Sequence, residues 1–270
     1  MASAPVSITY FAEAKKKRER FVVLSLYEAW SARLAEAAGV RVLLVGDSLA
    51  TSVQGHETTL SVTMDQMIYH TQCVRRAVPR AFVIGDMPFL SHTVSESDAI
   101  RNAGRFLSEG GASAVKVEGG AEIADVVAGM VRRGIPVLGH IGMTPQHHLR
   151  FGGYKVQGRG APDAKRIVAD AKALEKAGVF AIVLELVTEE TAAQVTAAAG
   201  VPTIGIGAGR KVDAQVLVFH DLLGLNPHFS PRFLKRYAEV GDEAVAAIRK
   251  FAADVSGGSF PGEANVFHNQ

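Results

Sequence analysis

Seven short runs rich in Val, Ile and Leu, at 21–27, 41–46, 81–85, 114–118, 136–139, 181–186 and 202–206, are separated by longer stretches with helical spacing. No other feature narrows the fold as far. Near-continuous apolar strands are buried on both faces, and in alternation with helices they form a parallel sheet covered by those helices. The intervening stretches include "AWSARLAEAAG", "DAIRNAGRFLSEGG", "AEIADVVAGMVRRG" and "DAKRIVADAKALEKAG". Gly39, Gly111, Gly134 and Gly178 end such stretches, which suits a left-handed C-cap. An eighth unit is expected around "PRFLKRYAEVGDEAVAAIRKFAADV", with a weak strand and a clear helix. Eight units in about 250 residues predict a (β/α)8 TIM barrel, with a doubly wound open sheet as the rival. The chain has 270 residues and no linker or low-complexity segment, so a single domain over 1–270 is expected, opened by a helical extension at about 1–20.

A hydrophobic content of 48% supports a substantial core, and a net charge of +2 gives no polyanion signature, which argues against nucleic acid as the main partner. Cys73 is the only cysteine, so an internal disulfide is impossible and a reducing compartment is expected. No apolar run approaches the roughly 18 residues of a membrane span, and the first twenty residues lack the apolar core of a secretory signal. A cytoplasmic protein without membrane association is the expectation. The run Lys15–Arg18 reads as a solvated helix face, with a basic patch as the alternative.

Five of the strand runs carry an ionisable residue at or near the same end: Asp47, Asp86, Glu118, His140 and Glu185. An unpaired buried carboxylate costs several kcal/mol, so a core strand has no use for one. In a parallel barrel the C-terminal strand ends share one rim, where active sites are built. Asp47 and Asp86 follow the same frame, an apolar run then Gly-Asp, on adjacent strands. Adjacent carboxylates repel unless a cation or proton lies between them, and hard oxygen ligands without a Cys or His pair favour Mg2+. Glu118 adds a third acid; capping of helix N-termini is the alternative for each acid alone. Lys116, two residues from Glu118, points to the same face, as an ion-pair partner or a cation for an anionic substrate. A Schiff-base role is weakened by the company of carboxylates, which keeps the amine protonated. His140 is open to three roles, metal ligand, proton donor or satisfied core histidine, and its strand-end place favours contact with a substrate oxygen. The neighbours of Glu185 are apolar, and desolvation disfavours the charged form, the adjustment a carboxylate general base needs. Its bland alternative is a partner for Lys116. Two long connections, "SLATSVQGHETTLSVT" and "MTPQHHLRFGGYKVQGRGAP", are candidate substrate loops, with His147 and His148 as surface or lid residues. "IGIGAG" at 204–209 lacks the spacing and first-strand position of a dinucleotide fingerprint.

The blocks "VGDSLATSVQGHETTLSVTMDQMIYHTQCVRR", "GDMPF", "VKVEGG", "GHIGMTPQ", "GGYKVQGR" and "IGIGAG" resemble the 3-methyl-2-oxobutanoate hydroxymethyltransferase (ketopantoate hydroxymethyltransferase) family. The likeness runs from about residue 7 to the closing "FPGEANVFH". It implies a barrel of the phosphoenolpyruvate/pyruvate-binding superfamily, assembled as a homo-oligomer, often a decamer. By the same resemblance Asp47 and Asp86 match Mg2+ ligands, with Glu118 as the third acid at the metal. Asp47, Ser48, Asp86 and Lys116 match positions that hold the 2-oxoacid, His140 lies near its oxygens, and Glu185 matches the proton acceptor. Glu28 stands where an aspartate is expected and Ala214 where a glycine is expected; neither touches the inferred metal or base.

The implied reaction passes a hydroxymethyl group from 5,10-methylenetetrahydrofolate to 3-methyl-2-oxobutanoate through a Mg2+-stabilised enolate, giving 2-dehydropantoate in pantothenate synthesis. A Mg2+-dependent lyase or aldolase of the same superfamily is the rival enzyme. A catalytically silent oxoacid-binding barrel is the rival of a different class.

Overall fold

Short parallel strands close into a barrel in the computed structural model, which describes residues 5–269. They are β1 (Phe21–Ser25), β2 (Val42–Val45), β3 (Phe82–Asp86), β4 (Ala114–Glu118), β5 (Val137–Gly142), β6 (Ala181–Glu185), β7 (Thr203–Ile206) and β8 (Ala214–Val218). Each pairs with the next in sequence and β8 pairs with β1, Phe21 opposite Ala214. The helices are α1 (Thr9–Lys17), α2 (Ala29–Ala37), α3 (Leu49–Ser52), α4 (Met64–Ala77), α5 (Glu96–Ser108), α6 (Ala124–Arg132), α7 (His148–Phe151), α8 (Ala161–Ala177), α9 (Glu189–Ala198), α10 (Phe219–Leu222) and α11 (Val240–Ser256). The seven expected strands are all present.

The eighth is a correction. Its strand is Ala214–Val218, and the stretch 231–239 holds none. Only residues 207–213 separate β7 from β8, too few for a covering helix, so the strand–helix rhythm breaks there. Gln215 is exposed, which also keeps β8 from reading as a continuous apolar run. The clear helix of that expected unit is α11.

The chain falls into two compact units, Met1–Val218 and Phe219–Gln270. The first is the barrel with α1–α9; of the expected extension at 1–20, residues 1–4 lie outside the described residues. α1 buries Phe11 and Ala14 in one cluster with inward strand residues such as Phe21, Val23, Phe82 and Ile84. The Phe11 ring meets Phe82 at 5.0 Å and Phe180 at 4.7 Å between centroids, so α1 plugs the end where the strands begin. Lys15 in this helix is no free cation: it donates to Asp213 and to the carbonyl of Thr196, both at 2.9 Å. The second unit, taken by itself, contains α10 and α11, with Phe260 folded against Phe251 at 5.4 Å.

Local chemistry sets the outer helices. Thr63 and Gln66 form a reciprocal capping box at the start of α4, and Ser95 accepts the Asp98 amide at the start of α5. Pro162 lies in the first turn of α8, and Gly178 ends it with φ +101°. On the sheet side α5 comes so close that a Cβ on Gly85 would lie 2.3 Å from the Phe106 ring.

Side chains alternate along a strand, so the inward set is Phe82, Ile84, Asp86 on β3, Ala114, Lys116, Glu118 on β4 and Ala181, Val183, Glu185 on β6. The same alternation that fills the lower barrel with apolar groups therefore delivers charged groups at the upper end.

Candidate active site

Asp86, Lys116, Glu118, His140 and Glu185 converge at the C-terminal end of β3–β6, and Asp47 enters from the turn after β2. Strand register places them side by side: Asp86 pairs with Lys116, Glu118 with His140 and Gly142 with Glu185. Lys116 Nζ donates to Asp86 Oδ1 at 2.6 Å and to Glu118 Oε1 at 3.2 Å. His140 Nδ1 lies 3.5 Å from Glu118 Oε1, and its Nε2 lies 3.3 Å from Glu185 Oε2. The Asp47 amide donates to Asp86 Oδ2 at 2.9 Å. A chain of alternating sign thus runs Asp86, Lys116, Glu118, His140, Glu185, with Asp47 attached at one end. Glu185 is the least enclosed member, its side chain 18% exposed against 1–4% for Asp86, Lys116, Glu118 and His140. The expected desolvation of Glu185 by its apolar strand is therefore incomplete.

Charge counting shows what the cluster lacks. Four carboxylates (Asp47, Asp86, Glu118, Glu185) face two cations (Lys116, His140). Burial raises the Asp47 pKa well above its ordinary value, and Asp86 and Glu118 push the same way, against Lys116 and the Gln146 amide. Burial would also raise Glu118, but Lys116, His140 and the Gln146 N–H outweigh it and hold its pKa well below the carboxylate range. Burial would lower Lys116, yet Asp86, Glu118 and Asp47 overcome that and keep it protonated. His140 is driven down by burial and by Lys116, then up more strongly by Glu118 and Glu185, to about 9. Neither of its ring nitrogens makes a hydrogen bond of ordinary geometry, although each has a carboxylate oxygen within 3.5 Å.

Asp47 is thus the member whose charge the cluster does not balance. Among the described residues no three His, Cys, Asp or Glu side chains form a ready-made metal cage. That is compatible with Mg2+, which is commonly held by one or two carboxylates together with water and substrate oxygens. Buried hard oxygens with excess negative charge fit such a cation, and Asp47 and Asp86 are the residues that could hold it.

Three further residues belong to the site. Gln146, in the 3-10 turn Pro145–His147, donates from Nε2 to Asp47 Oδ2 and to the Met87 carbonyl, both at 2.9 Å. Its backbone N–H donates to Glu118 Oε2 at 3.0 Å. Tyr27, fully buried beyond β1, bonds Ser48 Oγ through its hydroxyl at 2.7 Å, which fixes Ser48 beside Asp47. Tyr154 is half exposed, and burial together with Glu185, Asp47 and Glu118 pushes its pKa up to about 12. All three lie in connections rather than strands, and only the long loop after β5 gave a signal. His147 bonds Thr144 Oγ1 at 2.9 Å, and the His148 ring stacks with Tyr154 at 6.4 Å. Glu28 accepts from Ser31 Oγ at 2.9 Å at the start of α2, and Ala214 packs within the lower barrel cluster.

The family model for ketopantoate hydroxymethyltransferase matches residues 5–263. The chain belongs to that family. It is 53% identical over 252 residues to the 3-methyl-2-oxobutanoate hydroxymethyltransferase of Thermotoga neapolitana, covering 93% of each chain. To the protein of that name from Moorella thermoacetica it is 48% identical over 262 residues, covering 97% of each. Family members of this kind are transferases, and an enzyme is the reading the membership supports. Among solved structures, 2,3-dimethylmalate lyase, a PEP mutase/isocitrate lyase superfamily member, superposes with TM-score 0.61 at 20% identity, covering 95% of this chain and 90% of that one. Phosphonopyruvate hydrolase in complex with oxalate and Mg2+ gives TM-score 0.64 at 14% identity, covering 97% and 92%. These two likenesses show that the barrel fold is shared with those proteins.

Proposed function

We propose that the protein transfers a hydroxymethyl group from 5,10-methylenetetrahydrofolate to 3-methyl-2-oxobutanoate, giving 2-dehydropantoate and tetrahydrofolate in pantothenate and coenzyme A biosynthesis. Family membership supplies the substrate class. The observation that carries the chemistry is the chain of alternating charge that ends on Glu185, the one carboxylate of the chain with access to solvent. Asp47 and Asp86 would hold Mg2+, with Glu118 as the third acid beside it, and the ion would supply Lewis-acid stabilisation of the negative charge that develops on the oxoacid.

The protein's own groups do the rest. Lys116, kept protonated by Asp86 and Glu118, adds positive charge for the substrate carboxylate and forms no covalent link. Ser48, held by Tyr27, offers a hydroxyl at the same place. His140 lies between Glu118 and Glu185 without a well-aligned hydrogen bond to either, and turns a ring N–H to a substrate oxygen when the oxoacid is bound. Glu185 takes the C3 proton. The C3 carbon then attacks the methylene carbon of the donor, both bonds from that carbon to the two folate nitrogens break, water supplies the hydroxyl of the new CH2OH group, and the nitrogens take up two protons, one equivalent to that taken by Glu185 and one from the water. The same reading makes the protein a cytoplasmic homo-oligomer, a decamer by family pattern.

Supplying the enzyme with oxoacid, Mg2+ and methylenetetrahydrofolate tests this directly. Equal amounts of 2-dehydropantoate and tetrahydrofolate are expected. Cleavage of a carbon–carbon bond in a larger oxoacid without use of the donor would instead favour a lyase, and binding without turnover a silent barrel.

A further inference from the structure

Gly46, just beyond β2, faces into the barrel with no side chain to fill its place. Its φ lies outside the left-handed region, so the conformation there is open to residues other than glycine. What the glycine provides is room. A Cβ on it would lie 2.9 Å from Ser25 Oγ, 2.9 Å from Ser48 Oγ and 3.9 Å from Asp86 Oδ2. Oxygens from β1, from β3 and from the turn after β2 therefore ring one small hollow at the end of the barrel that carries the acids.

Ser25 has a hydroxyl that the fold does not use. It is the last residue of β1, on the inward face after Phe21 and Val23, and only 3% exposed. Among the described residues no group hydrogen-bonds its Oγ. A buried hydroxyl without a partner loses its hydration for no return, so alanine would suit the fold better at this position. Ser48 is only half committed. With Tyr27 as the donor in their 2.7 Å bond, the Ser48 hydrogen is left for a second acceptor. The Asp86 charge beside them is offset by Lys116 Nζ at 2.6 Å.

Two O–H donors aimed at one hollow select an anionic oxygen and reject a methyl group, which would leave both hydroxyls unpaired. A branched 2-oxoacid carries a carboxylate at one end and an isopropyl group at the other. We infer that Ser25 is a substrate-binding residue, which together with Ser48 holds a carboxylate oxygen of the oxoacid in the space that Gly46 leaves open. The inference rests on the transferase reading and deepens it, because it sets which way round the oxoacid lies. In the closed barrel β2 and β6 are four strands apart in either direction, on opposite sides of the ring. A carboxylate fixed at Gly46 therefore turns the isopropyl end, with its C3 proton, towards Glu185.

Calorimetric titration of Mg2+-saturated protein with 3-methyl-2-oxobutanoate tests this without the donor. Ser25→Ala should raise Kd about tenfold, the equivalent of about 1.4 kcal/mol, whereas Ser25→Thr, which keeps the hydroxyl, should stay within about twofold of the parent. Gly46→Ala, which fills the hollow, should weaken binding at least as much as Ser25→Ala. Exchange of the C3 proton of the oxoacid with deuterated water, which also needs no donor, should show the same rise in half-saturation for Ser25→Ala. Its rate at saturating oxoacid should stay within about threefold of the parent. Thermal unfolding of the metal-free proteins supplies the second readout: Ser25→Ala should be no less stable than the parent, since no bond within the fold is lost. Parental oxoacid affinity in Ser25→Ala, or equal weakening in Ser25→Thr, overturns the cradle and leaves the transferase reading intact. A clearly less stable Ser25→Ala overturns it too, because the hydroxyl would then have a partner in the fold. A parent that binds the oxoacid and responds to these variants, yet never consumes methylenetetrahydrofolate, keeps the cradle and sinks the transferase reading. A parent that does not bind the oxoacid sinks both.

Discussion

At the scale of single residues, Glu185 differs from its neighbours in having access to solvent, and among the described residues its one ion-pair partner is His140, whose Nε2 lies 3.3 Å away. Glu185→Gln keeps the size of the side chain but cannot accept a proton. Loss of a general base costs about 10²–10⁴ in rate, so C3 exchange without folate should fall by that factor while oxoacid and Mg2+ affinities stay near parent values. Exchange at the parent rate would remove Glu185 from the role and make His140 the first candidate. His140 carries a second prediction. Its folded pKa of about 9 exceeds the unfolded value of about 6.5. The protonated ring therefore stabilises the fold fully below pH 6.5, and that contribution is lost as pH rises through 9. A shift of this size corresponds to about 3 kcal/mol. Urea unfolding of the metal-free parent and of His140→Gln should show a stability gap that narrows across that window; a gap independent of pH would mean the ring is neutral when buried.

At the scale of elements, α1 and the loop after β5 act at opposite ends of the barrel. Phe11 is fully buried where the strands begin, with Phe21, Phe82 and Phe180 around it. Phe11→Ala should cost about 3–5 kcal/mol in denaturant unfolding. Because the acids sit at the other end, kcat of the protein that remains folded should stay within about twofold of the parent, a smaller change than one decade per 1.4 kcal/mol at the site itself would bring. A large fall in kcat would show that the plug shapes the site. The two ends also differ in how well the sequence announces them. Strand acids such as Asp86 and Glu118 were legible because a charge inside an apolar run has a high cost, and alternation says which way it faces. Gln146 was not, because a neutral amide in a loop carries no such cost, and its bond to Asp47 spans 99 residues of sequence. Tyr27 and Tyr154 escaped for the same reason. β8 escaped because the residues between it and β7 form no helix, so the repeat that reveals the other strands is missing.

At the scale of the whole molecule, the proposed oligomer finds support in the second compact unit taken alone. α11 buries none of its residues, and Val245, Ile248, Phe251 and Val255 are each about half exposed. Val245, Ile248 and Val255 are spaced as one helical stripe, with Phe251 beside it. Large apolar side chains contribute about 1.5–3 kcal/mol each when fully buried, so four of them covered by another copy would add several kcal/mol to an assembly. Charged surface loops offer no comparable gain, since exposed ion pairs are worth about 0–1 kcal/mol. The assembly, if it uses this stripe, should be sensitive to charge placed there and insensitive to charge placed on the opposite side of the same helix. Ile248→Glu combined with Phe251→Glu should lower the mass measured by light scattering at micromolar protein, while Lys250→Glu, on the far side of the helix, should leave it unchanged. C3 exchange in the dissociated double variant then separates two roles for assembly, because every cluster residue comes from one chain. Exchange that persists in the smaller species means the oligomer only stabilises the barrel. A parent already of single-chain mass, or a double variant of parental mass, would refute the stripe as the contact.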